Sequence, residues 1–379
     1  MNKLIASTFC DREGTFQGLK VAIESAMEQG AKSLFILSCD ANEIPVEQLN
    51  DYFQHLDIPV FGGLFPQIIS GTDNLERGHI VCGLSQTLPL GTISLANGSP
   101  ARWRETLESQ CPWLANSKSV ITLIDGLSQH IDPFFELLYD HIGPDKPVVG
   151  GGAGSLTLKQ KPCLITNQGI LTDAALVIGL PLGADIGIAH GWHQMAGPFL
   201  VTKSEGNTIH TLNYEPAFKV YRESIESGSD KRFADAEFFT VAKSFPFGLE
   251  NLDQEILIRD PITEENGSLV CVGSIPEHAM VYIMQGDEET LLNAAQEVTK
   301  SFSSDPASGI GESTLIFDCI SRGLYLGDQF KKELENICST LPKDALLIGA
   351  LTLGEIASSP WGPIQFLNKT IVLSALQEQ

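Results

Sequence analysis

Basic residues are scarce in this chain of 379 residues. Only 24 lysines and arginines stand against 47 aspartates and glutamates, which gives a formal net charge of −23. Nucleic acids and anionic membranes are bound through clustered lysine and arginine, because these side chains neutralise phosphate. The composition therefore predicts no nucleic-acid partner. The acidic surface by itself identifies no ligand.

Long apolar runs are also lacking. The first apolar stretch ends at Asp11 and Arg12, too early for a signal peptide, and no run approaches the ~18 apolar residues of a membrane span. The eight cysteines are widely spaced and form no CxxC pair, which is typical of buried thiols in a reducing compartment. We therefore expect no membrane insertion and a cytoplasmic location.

Several motifs of enzymes are missing. The sequence contains no GxSxG elbow, no HExxH helix, no protein-kinase motif and no GxxxxGK(S/T) phosphate loop. Nucleotide binding is therefore unsupported, and no common hydrolase or kinase class is indicated. We expect the protein to be no enzyme and to carry no cofactor.

Three similar apolar runs are present instead. Hydrophobic residues make up 43% of a chain that is long enough for two domains. Three strand-like runs end in aspartate, at residues 33–40, 119–125 and 313–318. After each comes a helical pattern and a short strand that enters small residues, at 58–63, 147–152 and 346–350. A final strand follows, at 80–84, 175–180 and 370–376.

The similarity extends upstream of each aspartate-ending run. Apolar strands at 4–7, 92–95 and 281–284 each precede a helix. The pattern predicts an α/β fold of the layered sandwich type, built from three degenerate β-α-β-α-β-β units with mixed, mostly parallel sheets in two domains. Ordinary alternation in any α/β protein is the alternative explanation. Residues 183–277 form a different stretch that contains a predicted hairpin.

Short motifs along the chain resemble the FIST domain family in their order and spacing. They are Gly191-Trp192, 201–203 (VTK), 205–207 (EGN), 215–217 (EPA), 258–261 (IRDP), Asp318-Cys319 with Arg322, 353–355 (LGE) and 368–370 (NKT). The resemblance implies an N-terminal FIST domain at 1–214, with two units plus linking strands, and a C-terminal FIST domain at 215–379. It also implies an intracellular sensory module that binds a small polar metabolite, such as an amino acid, and acts with a signalling protein partner.

A glycine-rich stretch follows one predicted strand. Consecutive small residues at 150–155, including Gly151 and Gly152, could direct backbone N–H groups toward an anionic ligand. The alternative is a tight turn that requires glycine for its backbone geometry alone. The sequence leaves both interpretations open.

The clearest candidate binding cluster lies in the third unit. Asp318, Cys319 and Arg322 follow a strand, and Thr352 and Glu355 belong to the neighbouring small-residue turn. Ligands of open α/β sheets bind at such strand ends. We predict that Arg322 holds a carboxylate through two hydrogen bonds while Glu355 or Asp318 takes an ammonium group. The alternative is that Arg322 and Glu355 pair only with each other.

His190 and Trp192 are further candidates for this ligand site. Two histidines three positions apart, at 190 and 193, are a poor zinc signature, so we expect no metal. A rival hypothesis is a hydrolase or transferase in which Cys319 is the nucleophile, His190 its base and Asp318 the orienting acid. A second rival is a structural or adaptor protein without a ligand.

Overall fold

The chain folds as a mixed α/β protein. The computed structural model describes residues 3–250, 256–302, 313–358 and 362–377. The first of three similar segments of the chain, residues 5–84, contains β1 (Ile5–Asp11), α1 (Phe16–Glu28), β2 (Ser33–Cys39), α2 (Val46–Gln54), β3 (Val60–Phe65), β4 (Gln67–Ser70), β5 (Asp73–Leu75) and β6 (His79–Leu84). The second similar segment, residues 90–180, contains β7 (Leu90–Ser94), α3 (Pro100–Gln110), β8 (Ser119–Asp125), α4 (Ile131–Ile142), β9 (Val148–Ala153), β10 (Leu164–Thr166), β11 (Gly169–Leu171) and β12 (Ala174–Leu180).

An inserted region separates the next strand from the last segment. After β13 (Ala184–Ala189) come β14 (His193–Glu205), β15 (Thr208–Leu212), β16 (Glu215–Pro216), α5 (Ala217–Gly228), α6 (Phe238–Ala242), β17 (Phe247–Glu250), β18 (Ile256–Arg259), β19 (Pro261–Glu265), β20 (Ser268–Cys271) and β21 (Met280–Gln285). The last segment contains α7 (Glu288–Glu297), β22 (Ser313–Cys319), α8 (Ile320–Leu326), α9 (Phe330–Thr340), β23 (Leu346–Thr352), β24 (Glu355–Ser358), β25 (Ile364–Leu367) and β26 (Ile371–Leu376).

Three six-stranded sheets have equivalent strand orders. They are β1-β6-β2-β3-β10-β11 (the first sheet), β7-β12-β8-β9-β24-β25 (the second sheet) and β13-β26-β22-β23-β4-β5 (the third sheet). In each of these orders, the last two strands form a hairpin that comes from another segment of the chain. Thus β4–β5 completes the third sheet, β10–β11 the first and β24–β25 the second. Strands from both sides of residue 214 therefore share two sheets, and a domain boundary there stays a prediction.

The expectation of mostly parallel sheets is wrong. Within the described part of the three sheets, only β2–β3, β8–β9 and β22–β23 pair in parallel. Each of these pairs is joined through a helix, the crossover that parallel neighbours require. The other strands return from the opposite direction or belong to hairpins, and they pair antiparallel.

The predicted first strand of the third unit is also wrong. Residues 281–284 lie in β21, which pairs with β14 and β17 in a separate sheet. The position equivalent to β1 and β7 is taken by β13, next to β26. Both β13 and β21 are apolar strands, and the insertion between β13 and α7 hid which of them belongs to the third sheet.

The inserted region forms an eight-stranded sheet, here called the inserted sheet. Its order is β18-β17-β21-β14-β15-β20-β19, with β16 beside β15. Helices α5 and α6 cover its apolar face, where Tyr221 is fully buried against Phe247. Among the described helices, none combines the length and apolar character that crossing a bilayer requires.

The core has an inner and an outer layer because side chains alternate along a strand. Phe35, Leu123 and Phe317 come from the three sheets and share one central cluster. The opposite faces pack against helices in three further clusters, one for each sheet. The molecule thus has its three sheets around a common apolar centre and its helices outside.

Glycine is required where the parallel pairs are closest. A Cβ atom on Gly62, Gly150 or Gly349 would lie 1.9, 1.7 and 1.7 Å from a carbonyl oxygen of the adjacent parallel strand. The three strands that carry these residues, β3, β9 and β23, also contact one another. The small residues predicted to follow the strands therefore lie within them, and they permit close strand packing.

Candidate functional site

Arg322 is held at the start of α8 by groups from four segments. Its guanidinium pairs with the Glu333 carboxylate of α9, with Nε 3.3 Å from Oε1 and Nη2 donating to Oε2. It also donates to the carbonyl oxygens of His190 (2.5 Å), Leu291 (3.3 Å) and Lys369 (3.4 Å). Every described donor contact is internal, so Arg322 joins α8, α9, α7 and the ends of β13 and β26.

Glu355 has different partners. Its carboxylate accepts from the Thr352 hydroxyl (2.8 Å) and from the Thr370 amide (3.3 Å). The alternative in which Arg322 and Glu355 pair with each other is therefore wrong. Asp318 lies nearer to the arginine, with Oδ1 3.4 Å from Nε of Arg322. The predicted residues meet in one region, but Glu333 provides the paired carboxylate.

A second buried ion pair adjoins this cluster. Lys369 Nζ lies 3.1 Å from Oδ2 of Asp260, and the Ser321 hydroxyl donates to the same oxygen at 2.7 Å. Trp192 covers the lysine, with Nζ 5.2 Å from the ring centroid, and its indole N–H donates to the Lys369 carbonyl at 3.1 Å. Trp192 is thus a wall of the cluster, here called the buried polar cluster, which comprises Trp192, Asp260, Asp318, Arg322, Glu333, Thr352, Glu355 and Lys369.

The buried polar cluster contains more acids than bases. Asp260, Asp318, Glu333 and Glu355 face only Arg322 and Lys369, and all six side chains are at most 1% exposed. Burial, followed by the negative charge of Glu333, raises the pKa of Asp318 well above its usual value, and burial likewise raises the pKa of Glu355. The two ion pairs balance, and the remaining two acids are favoured in their neutral form.

The surroundings of His190 and Cys319 do not activate these side chains as a base and a nucleophile. Burial, aided by the charge of Arg322, lowers the pKa of His190 to about 4, and its Nδ1 accepts the Trp192 amide at 2.9 Å. Burial raises the pKa of the Cys319 thiol well above its usual value, so the nucleophilic thiolate is disfavoured. Within the described ranges, no three His, Cys, Asp or Glu residues are arranged to hold a metal ion.

The glycine stretch has its backbone groups engaged in sheet contacts. Gly151 and Gly152 lie in β9, where Gly151 is paired with Glu355 and the Gly152 N–H donates to the Gly354 carbonyl at 2.8 Å. A Cβ atom on Gly151 would lie 2.4 Å from the Thr352 methyl group. These glycines bring β9 against the buried polar cluster, and the Gly152 N–H is not directed at an anion.

Sequence reasoning did not identify Glu333, Lys369 and Asp260 as members of the buried polar cluster. Glu333 lies among Phe330, Leu334 and Ile337 on the buried face of α9. Burying an acidic side chain on the apolar face of a helix costs free energy unless the acid is paired. The position of Glu333 on this face was therefore the sequence signal for a buried partner. Lys369 and Asp260 belong to the motifs at 368–370 and 258–261, but neither motif by itself indicates that the two side chains pair.

An open cavity of about 490 Å³ lies outside the buried polar cluster. Six of the residues from Gly126 to Asp132, after β8, form one wall, and the inserted sheet contributes Gly206, Asn207, Ile262 and residues 271–274. Phe366 of β25 closes a third side. The cavity therefore lies at the carboxyl end of a parallel strand and at the junction with the inserted sheet, a common place for ligands.

Asp125 shapes the first wall. Its Oδ1 accepts the Leu127 amide at 3.1 Å, while Oδ2 accepts from Gln160 Nε2 (2.9 Å) and the Asp173 amide (2.8 Å). The aspartate at the end of β8 thus fixes the start of the 126–132 loop.

Phe366 and Arg259 link the cavity to the buried polar cluster. Phe366 lies on β25, whose partner β24 begins with Glu355. Arg259 donates to the carbonyls of Phe366 and Ser274 at 2.9 Å each, and the next residue, Asp260, pairs with Lys369. The two sites are therefore connected through adjacent residues of the same strands.

Comparisons with known proteins identify two family domains along the chain. The FIST N domain matches residues 33–215 and the FIST C domain matches residues 217–358. A search of curated proteins returns no match. The two domain matches cover nearly the whole chain, and FIST domains are sensory domains. The chain therefore belongs to the FIST family.

Proposed function

We propose that this protein is a sensor of a small polar metabolite and that the ligand binds in the cavity between the 126–132 loop and the inserted sheet. The cavity carries the proposal: its volume of about 490 Å³ falls within the range of small-molecule sites. An amino acid or similar zwitterion is the proposed class of ligand. The eight unpaired cysteines suit a reducing, cytoplasmic setting.

The buried polar cluster has a separate role in this proposal. Direct ligand contact by Arg322, Glu355, Asp318, Cys319 and Thr352 stays a prediction, and their enclosure makes the open cavity the first place to test. The strand connections through Phe366 and Arg259 support transmission from the cavity to the cluster. Ligand binding would then favour one placement of the inserted sheet, which a signalling partner reads.

A thermal-shift screen against the twenty amino acids and common organic acids tests the proposal. A ligand at about 100 times its dissociation constant should stabilise the protein by about 2.7 kcal/mol. No shift with any compound would contradict a sensor of this class.

A pair of variants at Gln129 tests the location. Gln129 is an exposed residue that lines the cavity. Gln129→Trp should fill the opening and abolish the ligand-induced shift, whereas Gln129→Ala should retain it. Equal shifts in both variants would place the ligand elsewhere.

A further inference from the structure

The connection that follows β9 is much longer than its two equivalents. In each of the three similar segments, the second strand of the parallel pair leads into the hairpin that completes another sheet. One residue separates β3 from β4 and two separate β23 from β24, whereas residues 154–163 separate β9 from β10. The other two hairpins are exchanged without such an insertion, so the fold itself does not account for this segment, here called the 154–163 loop.

Two leucines of this loop face the solvent. Leu156 is 46% exposed and Leu158 is 52% exposed. Leu158 has a φ of +53°, in the left-handed region that bulky side chains rarely adopt. The buried Ser155 holds this conformation, because its carbonyl accepts the Leu158 amide at 3.0 Å and its hydroxyl accepts the Thr157 amide at 3.2 Å. The loop is thus braced to present apolar side chains outward, a feature of interaction surfaces.

The 154–163 loop is basic, although the protein as a whole is acidic. It contains Lys159 and Lys161 but none of the 47 acidic residues. Lys161 pairs with Asp40 at 2.5 Å, while Lys159 is exposed and pairs with no described carboxylate. The net charge of −23 makes two copies of the chain repel each other over most of their surface. A basic loop is therefore well suited to approach a second copy.

The cavity at the end of β8 has the complementary chemistry. Its apolar lining consists mainly of Leu127, Ile131, Ile262 and Phe366. Among the described lining residues, Asp132 alone carries a formal charge. Both described hydrogen bonds of its carboxylate come from Ser274 and reach Oδ2, which leaves Oδ1 available to a cation. An apolar side chain followed by a lysine, the order of Leu158 and Lys159, matches this lining.

The loop and the cavity lie at the same end of the molecule. Strands β8 and β9 are parallel, so the cavity after β8 and the loop after β9 both follow carboxyl ends. Gln160 of the loop donates to Asp125, directly before the cavity wall, at 2.9 Å. The Gly126 amide of the wall donates to the carbonyl of Ala153, directly before the loop, at 2.9 Å. Because the loop and the cavity are neighbours, a twofold axis can place each loop at the cavity of the other copy.

We infer that the cavity is also the docking site for a second copy of this chain. Leu158 of one protomer enters the cavity of its partner, and Lys159 pairs with the partner's Asp132. The cavity, with a volume of about 490 Å³, has room for a leucine side chain. A ligand and the loop then exclude each other, so a bound ligand separates the dimer. This last consequence rests on the proposed function, whereas the dimer itself does not.

Sedimentation velocity of the purified full chain over a concentration series tests the dimer. The parent protein should show a reversible monomer–dimer equilibrium. Leu158→Ser should raise the dissociation constant of the dimer at least about tenfold, because it removes the buried anchor of each contact. Val21→Ser, at a residue of α1 that is 51% exposed, is the matched control and should leave this constant unchanged.

Variants of the cavity test the other side of the contact. Gln129→Trp fills the cavity and should weaken the dimer as Leu158→Ser does, although it leaves the loop intact. Lys159→Gln and Asp132→Asn should each weaken the dimer about fivefold, since each dimer contains two such ion pairs. The double variant should lose no more than either single variant, because both substitutions remove the same ion pair. Losses that multiply would remove Asp132 as the partner of Lys159.

The outcomes separate this inference from the proposed function. A monomer at every concentration, or a dimer that is unaffected by Leu158→Ser and Gln129→Trp, overturns the inference and leaves a small-ligand sensor intact. A compound that stabilises the protein in the thermal-shift screen should shift the parent chain toward the monomer. A screen without any response overturns the proposed function and leaves a dimer formed through the loop intact.

Discussion

Arg322 and Glu333, eleven positions apart on α8 and α9, form an ion pair in which neither side chain is exposed to solvent. Around them, the carbonyl groups of three other segments accept the remaining guanidinium hydrogens. An ion pair this deep stabilises a structure only when both partners are present.

Removal of the acid partner should therefore be severe. Glu333→Gln leaves the Arg322 charge buried without its carboxylate, and we expect a loss of about 3–5 kcal/mol in the free energy of unfolding. Chemical denaturation measures this loss. Glu335→Gln, on the exposed side of the same helix, should stay within about 0.5 kcal/mol of the parent. A similar small effect at Glu333 would contradict the assigned ion pair.

Raising the pH should destabilise the protein through Asp318 and Glu355. The pKa of both acids is raised in the folded state, chiefly by burial. Above about pH 4 the unfolded chain releases these protons while the folded chain keeps them. Their contribution to stability is complete below the unfolded pKa and is lost as the pH rises toward the raised folded pKa.

The test of this pH dependence uses variants that cannot ionise. Asp318→Asn and Glu355→Gln should each reduce the fall in unfolding free energy between about pH 5 and pH 9. Glu335→Gln should leave the slope unchanged. Arg322, Glu333 and Lys369 face these acids, so the two variants are compared by slope and not by absolute stability. Identical slopes in all proteins would show that both acids are ionised in the fold.

Alanine at Gly150 should be poorly tolerated. Its Cβ would lie 1.7 Å from the Thr122 carbonyl oxygen, which can move only if β8 and β9 separate. We expect a loss of about 3 kcal/mol or more in unfolding free energy, with similar results at Gly62 and Gly349. Gly228→Ala is the control, since its Cβ would meet Met195 at 3.6 Å, an ordinary contact. A neutral Gly150→Ala variant would show that the strands are not packed this closely.

Asp125→Asn should loosen the cavity wall. The variant retains one acceptor oxygen where the aspartate uses two, and hydrogen bonds to a charged acceptor contribute about 1.5–3 kcal/mol. Hydrogen exchange should become faster at residues 126–128, and ligand affinity should fall. Asp140→Asn should leave exchange in this loop unchanged. Protection equal to the parent would remove Asp125 as the support of the loop.

The sequence was informative where a pattern is local. Continuous apolar runs ending in aspartate located β2, β8 and β22, because strands buried on both faces carry no polar alternation. Because Arg322 and Asp318 follow one strand of the third unit and Glu355 follows the strand predicted beside it, the sequence also predicted that these three residues lie in one region. The partner of Arg322 was missed because Glu333 lies in a helix where most acids face water.

Pairing between strands that are far apart in the sequence cannot be predicted from local sequence patterns. Each hairpin completes a sheet whose other strands lie far away in sequence, so nothing near β4 or β10 indicates its partner. The residues that line the cavity were missed for the same reason, since they come from distant parts of the chain: 126–129, 131–132, 206–207, Ile262, 271–274 and Phe366. The strand at 281–284 was assigned to the wrong sheet because apolarity alone does not select a neighbour.

The exchange of hairpins among the three sheets also sets the order in which the chain can fold during synthesis. Strand β4 pairs with β23, so residues 67–70 wait until residues 346–352 have left the ribosome. Until then the early part of the chain carries unpaired strand edges, which are prone to aggregation. The pairing of β4 with β23 therefore leaves the growing chain more open to aggregation until residues 346–352 have emerged.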